Sequence, residues 1–295
     1  MGIVNITPDS FSDGVRCLRT EAAVSRARTL ARDGADILDL GAESTRPGAT
    51  PISWQAEWAR LEPVLRVLVR EQPTMPISID TYHPETAERA ICLGAAILNC
   101  VYAASVPPML ELARKTRCGL VLPASYVFDS RQTTADDPSA QNPRSEIFNP
   151  QSSILNLQSS ILNPQSSIFN PQSSIFNPQS SIFNPQSSIL KSQILLDPMI
   201  GFGTTREEDM ALLGGIRRLA QKAPVLVGVS RKRIIGTLTG AEDPGDRLGG
   251  SVGAAVWCAM NGASVLRVHD VKETKQALQV AEALAAAAAQ TGGVA

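Results

Sequence analysis

The sequence of 295 residues has little histidine: only His83 and His269 occur. That excludes a histidine-rich metal centre. Its five cysteines, Cys17, Cys92, Cys100, Cys118 and Cys258, lie far apart with no CxxC pair. Such spacing excludes a thiolate zinc framework and reads as reduced, mostly buried thiols of a cytoplasmic protein. Charge of one sign is also lacking, since the net charge is −1. No electrostatic case for nucleic acid or an anionic membrane surface follows. No apolar run reaches the roughly eighteen residues that a membrane span needs. No basic-then-apolar signal segment precedes the first motif.

What remains is an ordinary globular composition, 43% apolar, in a chain long enough for one large α/β domain or two small ones. The stretch Ile37–Gly48 sets the grammar for the rest. An apolar run, Ile37-Leu38-Asp39-Leu40, reads as a buried parallel strand. It stops at Gly41 and a polar cluster, Glu43, Ser44, Thr45 and Arg46, before Pro47-Gly48. In parallel α/β folds ligands bind at such strand ends.

The same pattern recurs. Strands are predicted at Met1–Asn5, Ile37–Leu40, Ile77–Asp80, Ala95–Val101, Gly119–Leu122, Ile194–Asp197, Val225–Val229 and Val265–Val268. Helices are predicted at Ala22–Asp33, Trp54–Glu71, Pro84–Leu93, Pro108–Lys115, Glu207–Gln221, Arg247–Asn261 and Thr274–Gln290, with none after the fifth strand. Eight strands alternating with helices predict a single (β/α)8 TIM barrel. A doubly wound open sheet ranks second, weakened because no GxGxxG follows the first strand. Between the fifth and sixth strands stand six consecutive copies of NPQSSI(F/L), Asn149–Leu190, with Leu157 replacing one proline. Proline at nearly every seventh position forbids a continuous helix and so a coiled coil. About residues 129–191 are therefore expected to form a disordered low-complexity insert in place of the fifth helix. A missing helix is expected to leave one sheet face in water.

Seven of the eight strands end in a polar or charged residue: Asn5, Asp39, Asp80, Asn99, Asp197, Lys232 and His269. A barrel gathers these ends on one face. Asp80, Asp197 and the amide Asn99 suit a flat heterocycle carrying N–H donors and ring nitrogens. Lys232, Arg267 and His269 follow strands seven and eight, where this fold commonly holds phosphate. Arg267 lies inside an apolar strand, VLRVH, where an unpaired charge is costly. Arg231 and Lys232 also admit a plainer reading as solvated charges, and His83 reads as a surface residue.

These residues carry a resemblance. MGIVNITPDSFSDG, LDLGAESTRPGA, ISIDT, LDPMIGFG, VGVSRK and RVHDV together resemble the dihydropteroate synthases. The match covers about Met1–Val127 and Ile194–Leu284. It implies a (β/α)8 barrel, usually a homodimer. The implied transferase activity joins 6-hydroxymethyl-7,8-dihydropterin diphosphate to 4-aminobenzoate, releasing pyrophosphate, with Mg2+. The resemblance assigns Asp80, Asn99, Asp197 and Lys232 to the pterin, and Asn5 to Mg2+ and diphosphate. It assigns Arg267 and His269 to the diphosphate, making Lys232, Arg267 and His269 the catalytic set. Ser44, Thr45, Arg46 and Pro47, with Ser230, would shape the aminobenzoate site, and Thr7–Gly14 would close over the substrates.

The chain departs from the family pattern at several points. Pro123-Ala124-Ser125 replaces Met-His-Met after strand five. Met199 replaces a glycine, Thr204 a lysine and Cys100 an aspartate. The lead-in segment before the first strand is expected to be missing. A non-catalytic pterin-binding paralogue is thus the alternative. A pterin-binding methyltransferase module is a more distant one, because the STRPG and SRK loops are kept.

Overall fold

The computed structural model describes residues 1–6, 13–44, 49–128 and 193–291. The strands are β1 (Gly2–Asn5), β2 (Leu38–Gly41), β3 (Ile77–Asp80), β4 (Ile97–Asn99), β5 (Gly119–Pro123), β6 (Ile194–Asp197), β7 (Leu226–Val227) and β8 (Val265–Leu266). Strands β1 to β6 pair in parallel in sequence order, and β7 pairs with β8. Parallel bridges Leu196↔Val225 and Gly2↔Val268 close the ring. Backbone bonds from Ile3 N to Val268 O and from Val268 N to Met1 O, both 3.0 Å, seal the last seam. The expected eight-stranded barrel is therefore observed, and the open sheet is excluded.

Helices surround the strands: α1 (Asp13–Arg32), α2 (Trp54–Glu71), α3 (Pro84–Leu93), α4 (Val106–Thr116), α5 (Ala124–Phe128), α6 (Arg206–Gly214), α7 (Ile216–Ala220), α8 (Arg233–Thr239), α9 (Leu248–Met260) and α10 (Val271–Thr291). Five differ from expectation. Helix α1 starts at Asp13, well before the expected Ala22. The segment expected as one helix over Glu207–Gln221 is broken at Gly214-Gly215, where backbone freedom disfavours a continuous helix. The short helices α5 and α8 were not predicted. Among the described residues, no helix is long and apolar enough to cross a membrane.

The repeat lies outside the described residues. Its flanks are nevertheless in register, from Leu120↔Ile194 to Pro123↔Asp197. Leu120, Leu122, Ile194 and Leu196 are all buried. The sheet face expected to stand in water is covered.

The barrel interior is built in layers, because side chains two apart on a strand share a face. Met1, Ile37, Ile97, Val121, Leu195, Leu226 and Val265 form an apolar floor of their own. Two residues further along the same segments come Ile3, Asp39, Asn99, Pro123, Asp197, Gly228 and Arg267. Most of the polar side chains thus stand above an apolar floor, on the side of the C-terminal strand ends.

Candidate active site

Arg267 lies at the centre of the polar layer. Its Nε donates to Asp39 Oδ2 and its Nη2 to Asp80 Oδ2, each at 2.6 Å. Asp39 is fully buried and also accepts from Asn99 Nδ2 at 3.4 Å. Register explains the meeting: Asp80 stands beside Gly41 on one side and Asn99 on the other. Gly41 and Gly228 present no side chain there. A methyl group on Gly228 would already touch Arg267 at 3.7 Å. Asp39 Oδ1, Asn99 Oδ1 and Ser78 Oγ are buried without a hydrogen-bond partner among the described residues. Buried acceptors of this kind are costly unless something donates to them.

Electrostatics follow from this crowding. Burial pushes the Asp80 carboxyl up to about 7, against the pull of the Arg267 guanidinium. Burial likewise raises Asp197, opposed by Lys232 and by the Met199 N–H, which donates to Asp197 Oδ1 at 2.7 Å. Lys232 is brought down to about 8 by burial, with Asp197 opposing. Its Nζ donates to Ile200 O at 2.5 Å and sits 4.5 Å from the Phe202 ring centroid. The stem of Lys232 packs 3.2 Å from where a Cβ on Gly201 would stand, at φ +76. The reading of Lys232 as a solvated charge is therefore wrong.

The loop after β7 and the end of β8 are tied together. Arg231 forms a fork on Asp270, with Nε–Oδ2 at 3.0 Å and Nη2–Oδ1 at 2.5 Å. Ser230 Oγ lies 3.0 Å from His269 Nδ1 and accepts the His269 backbone N–H at 3.2 Å. Burial, then Arg231 and Arg267, hold the His269 imidazole down at about 4. It is neutral at neutral pH. Ser230 Oγ thus holds both the backbone and the ring of His269.

The predicted site residues are thus divided. Asp80, Asn99 and Arg267 meet directly, Asp197 and Lys232 flank them, and Ser230 pairs with His269. Asn5 is exposed at the mouth, beside Gly41 in the strand register. Ser44 is half-buried on the flank of the loop after β2. Thr45, Arg46, Pro47 and the segment Thr7–Ser12 lie outside the described residues. Asp39, read only as a polar strand end, emerges as the second anchor of Arg267. Its signal in the sequence was a carboxylate alone among Ile and Leu.

The departures from the family pattern have local consequences. Met199 sits at φ +63, a left-handed conformation that suits glycine. Thr204 is buried in a network of its own, donating to Asp209 Oδ1 at 2.5 Å and accepting Gly201 N–H at 3.0 Å. Cys100 is buried, and burial raises its thiol to about 11, so it stays protonated. Pro123 ends β5 directly beside Asp197.

A sequence profile of the family described as pterin binding enzyme matches residues 1–269. The chain belongs to this family. It is 37% identical over 291 residues to the dihydropteroate synthase of Neisseria meningitidis serogroup B, covering 96% of this chain and 92% of that protein. It is 36% identical to the dihydropteroate synthase of Escherichia coli K12, covering 96% and 90%. Among solved structures, the Xanthomonas albilineans dihydropteroate synthase with 4-aminobenzoic acid superposes with a TM-score of 0.74. That pair shares 36% identity and covers 97% of this chain and 93% of the other. The same enzyme in complex with 7,8-dihydropteroate gives a TM-score of 0.71 at 34% identity.

Proposed function

We propose that this chain is a dihydropteroate synthase, a transferase that condenses 6-hydroxymethyl-7,8-dihydropterin diphosphate with 4-aminobenzoate and releases pyrophosphate. The observation that carries the reading is the polar layer over the apolar floor, in a member of the pterin-binding family. It presents paired carboxylates and an amide beside three cation-capable groups.

The pterin is a flat ring edged with N–H donors. Asp80, Asp197 and the amide of Asn99 receive those donors, and the unpartnered oxygens of Asp39 and Asn99 support this assignment. The guanidinium of Arg267, fixed edge-on by two carboxylates, offers its plane to an aromatic ring. Lys232 stands on the Asp197 side and donates to ring acceptors. At the other end, the His269 imidazole and the positive charge of Arg267 serve the diphosphate. The methylene C–O bond breaks and its electron pair leaves with the diphosphate. The carboxylates of the pocket stabilise the positive methylene until the amine nitrogen forms the new C–N bond and gives up a proton to the departing diphosphate or to water. Ser44, Thr45, Arg46 and Ser230 shape the aminobenzoate site.

Mg2+ is the proposed cofactor. Among the described residues, no cluster of three His, Cys, Asp or Glu stands ready for a metal. One exposed amide, Asn5, is at the mouth. That donor set fits an ion held by a single protein oxygen together with substrate phosphate and water. When bound, Mg2+ supplies charge neutralisation at the leaving diphosphate.

The chain is further proposed to be cytoplasmic and to act as a homodimer. Exposed apolar side chains on two neighbouring helices, Trp257 and Met260 on α9 with Val280 and Leu284 on α10, support the dimer.

The test is pyrophosphate released by the purified chain with pterin diphosphate, Mg2+ and 4-aminobenzoate. Release that depends on 4-aminobenzoate, and that falls at least about a hundredfold in Lys232→Ala, is expected. Pterin binding without release would establish the non-catalytic alternative.

A further inference from the structure

The loop between β2 and α2 is founded on one carboxylate. The Glu43 side chain is 7% exposed. Its Oε1 accepts the Tyr82 hydroxyl at 2.7 Å and the Ile52 backbone N–H at 3.1 Å. Its Oε2 lies 3.5 Å from His83 Nε2. That same nitrogen is 3.1 Å from Ile52 O. A carbonyl only accepts, so His83 carries its proton on Nε2 and both polar groups of Ile52 are held. His83 is therefore not the surface residue that the sequence implies. Its ring packs 4.2 Å from that of Tyr82, which in turn meets Tyr102 edge-on at 4.7 Å.

The cluster reaches down to the pocket. His83 N donates to Thr81 Oγ1 at 3.0 Å, and Thr81 Oγ1 donates to Glu57 Oε2 at 2.8 Å. Thr81 directly follows Asp80. Glu57 is fully buried on α2, whose Arg60 donates from Nη1 to Ala42 O at 3.0 Å. Both ends of the loop, Ala42-Glu43 and Ile52, are thus bound to the turn beyond Asp80 and to α2.

We propose that Glu43 is a positioning residue for the 4-aminobenzoate half of the site, holding both flanks of the loop after β2 to the turn that follows Asp80. It touches no reacting atom in this arrangement. The proposal rests on the synthase reading, through the assignment of Ser44 to the aminobenzoate site.

Two variants of the full chain test it. Glu43→Ala removes the acceptor, while Glu43→Gln keeps an oxygen where Oε1 stands. Loss of a charged hydrogen-bond acceptor predicts at least about a tenfold rise in KM for 4-aminobenzoate in Glu43→Ala, with KM for the pterin diphosphate within about twofold. Glu43→Gln is expected to restore the aminobenzoate KM to within about threefold. Without substrates, hydrogen exchange at the Ile52 amide should quicken in Glu43→Ala and stay slow in Glu43→Gln. A parallel rise in both KM values, or unchanged exchange at Ile52, overturns the proposal. If the parent chain releases no pyrophosphate while Ile52 exchange responds as expected, the clamp stands and the synthase reading fails, taking the aminobenzoate assignment with it.

Discussion

Arg267 Nε donates to Asp39 Oδ2 at 2.6 Å, joining residues 228 positions apart in the chain. Asp39 has no solvent exposure, and Arg267 also holds Asp80. Removing one partner of a buried pair leaves the other charge uncompensated. Asp39→Ala is therefore expected to cost about 3–5 kcal/mol of unfolding free energy, and Asp39→Asn, which keeps an acceptor, clearly less. Urea unfolding monitored for an unchanged slope measures this. A loss below about 1 kcal/mol in Asp39→Ala would mean that the pair is not an anchor.

His269 predicts a dependence on acid. Its imidazole is held at about 4 by burial and two arginines, against 6.5 in the unfolded chain. Between those values the unfolded chain binds a proton that the folded chain refuses. The contribution is present above pH 6.5 and is lost as pH falls towards 4. Asp80 acts in the opposite sense, since its raised carboxyl stabilises the folded state as pH falls below about 7. The His269 effect must therefore be read as a difference between the parent and His269→Gln. That difference is expected to shift by up to about 3 kcal/mol over this range and to stay flat above pH 7. A flat difference throughout, in denaturant melts at stepped pH, would remove His269 from the account.

Much of the site was legible because a barrel strand carries its own address. Polar residues at the strand ends picked out Asp80, Asn99 and Asp197, and the phosphate-binding habit of strands seven and eight picked out Lys232, Arg267 and His269. What stayed hidden depended on register between distant strands. Nothing local tells that Asp39 faces Arg267, or that Glu43 reaches Tyr82 and His83 across the gap between two loops. A lone histidine before Pro84 reads as surface until a neighbouring strand brings it a carboxylate. Local breaks were also underread: Gly214-Gly215 splits one expected helix, and α8 begins within a run of basic residues where apolar periodicity is weak.

Met199 marks a place where the chain and its backbone disagree. The residue adopts φ +63, and its N–H is spent on Asp197 Oδ1 at 2.7 Å. A left-handed conformation costs a side-chain-bearing residue roughly 1–2 kcal/mol, of which glycine returns part to unfolded-state entropy. Met199→Gly is expected to stabilise the fold by roughly 0.5–1 kcal/mol while the bond to Asp197 persists. A thermal melt checks the gain. A lower melting temperature would show that the Met199 side chain contributes more packing than its backbone strain costs.

The repeat gives the sharpest test of how the barrel tolerates its interruption. From Phe128 to Gln193 the connection holds 64 residues, of which the six copies account for 42. Yet β5 and β6 pair over four residues, and their outward side chains are buried. If the copies contribute no packing, their effect is the entropy of closing a long loop. Shortening the connection to about 22 residues then lowers that cost by about 1 kcal/mol, since closure entropy grows only with the logarithm of length. Deleting residues 149–190 is expected to raise the melting temperature by about 2–4 °C and to leave turnover within about twofold. A fall in melting temperature, or loss of turnover in a chain that still melts cooperatively, would mean that the copies themselves cover the β5–β6 face.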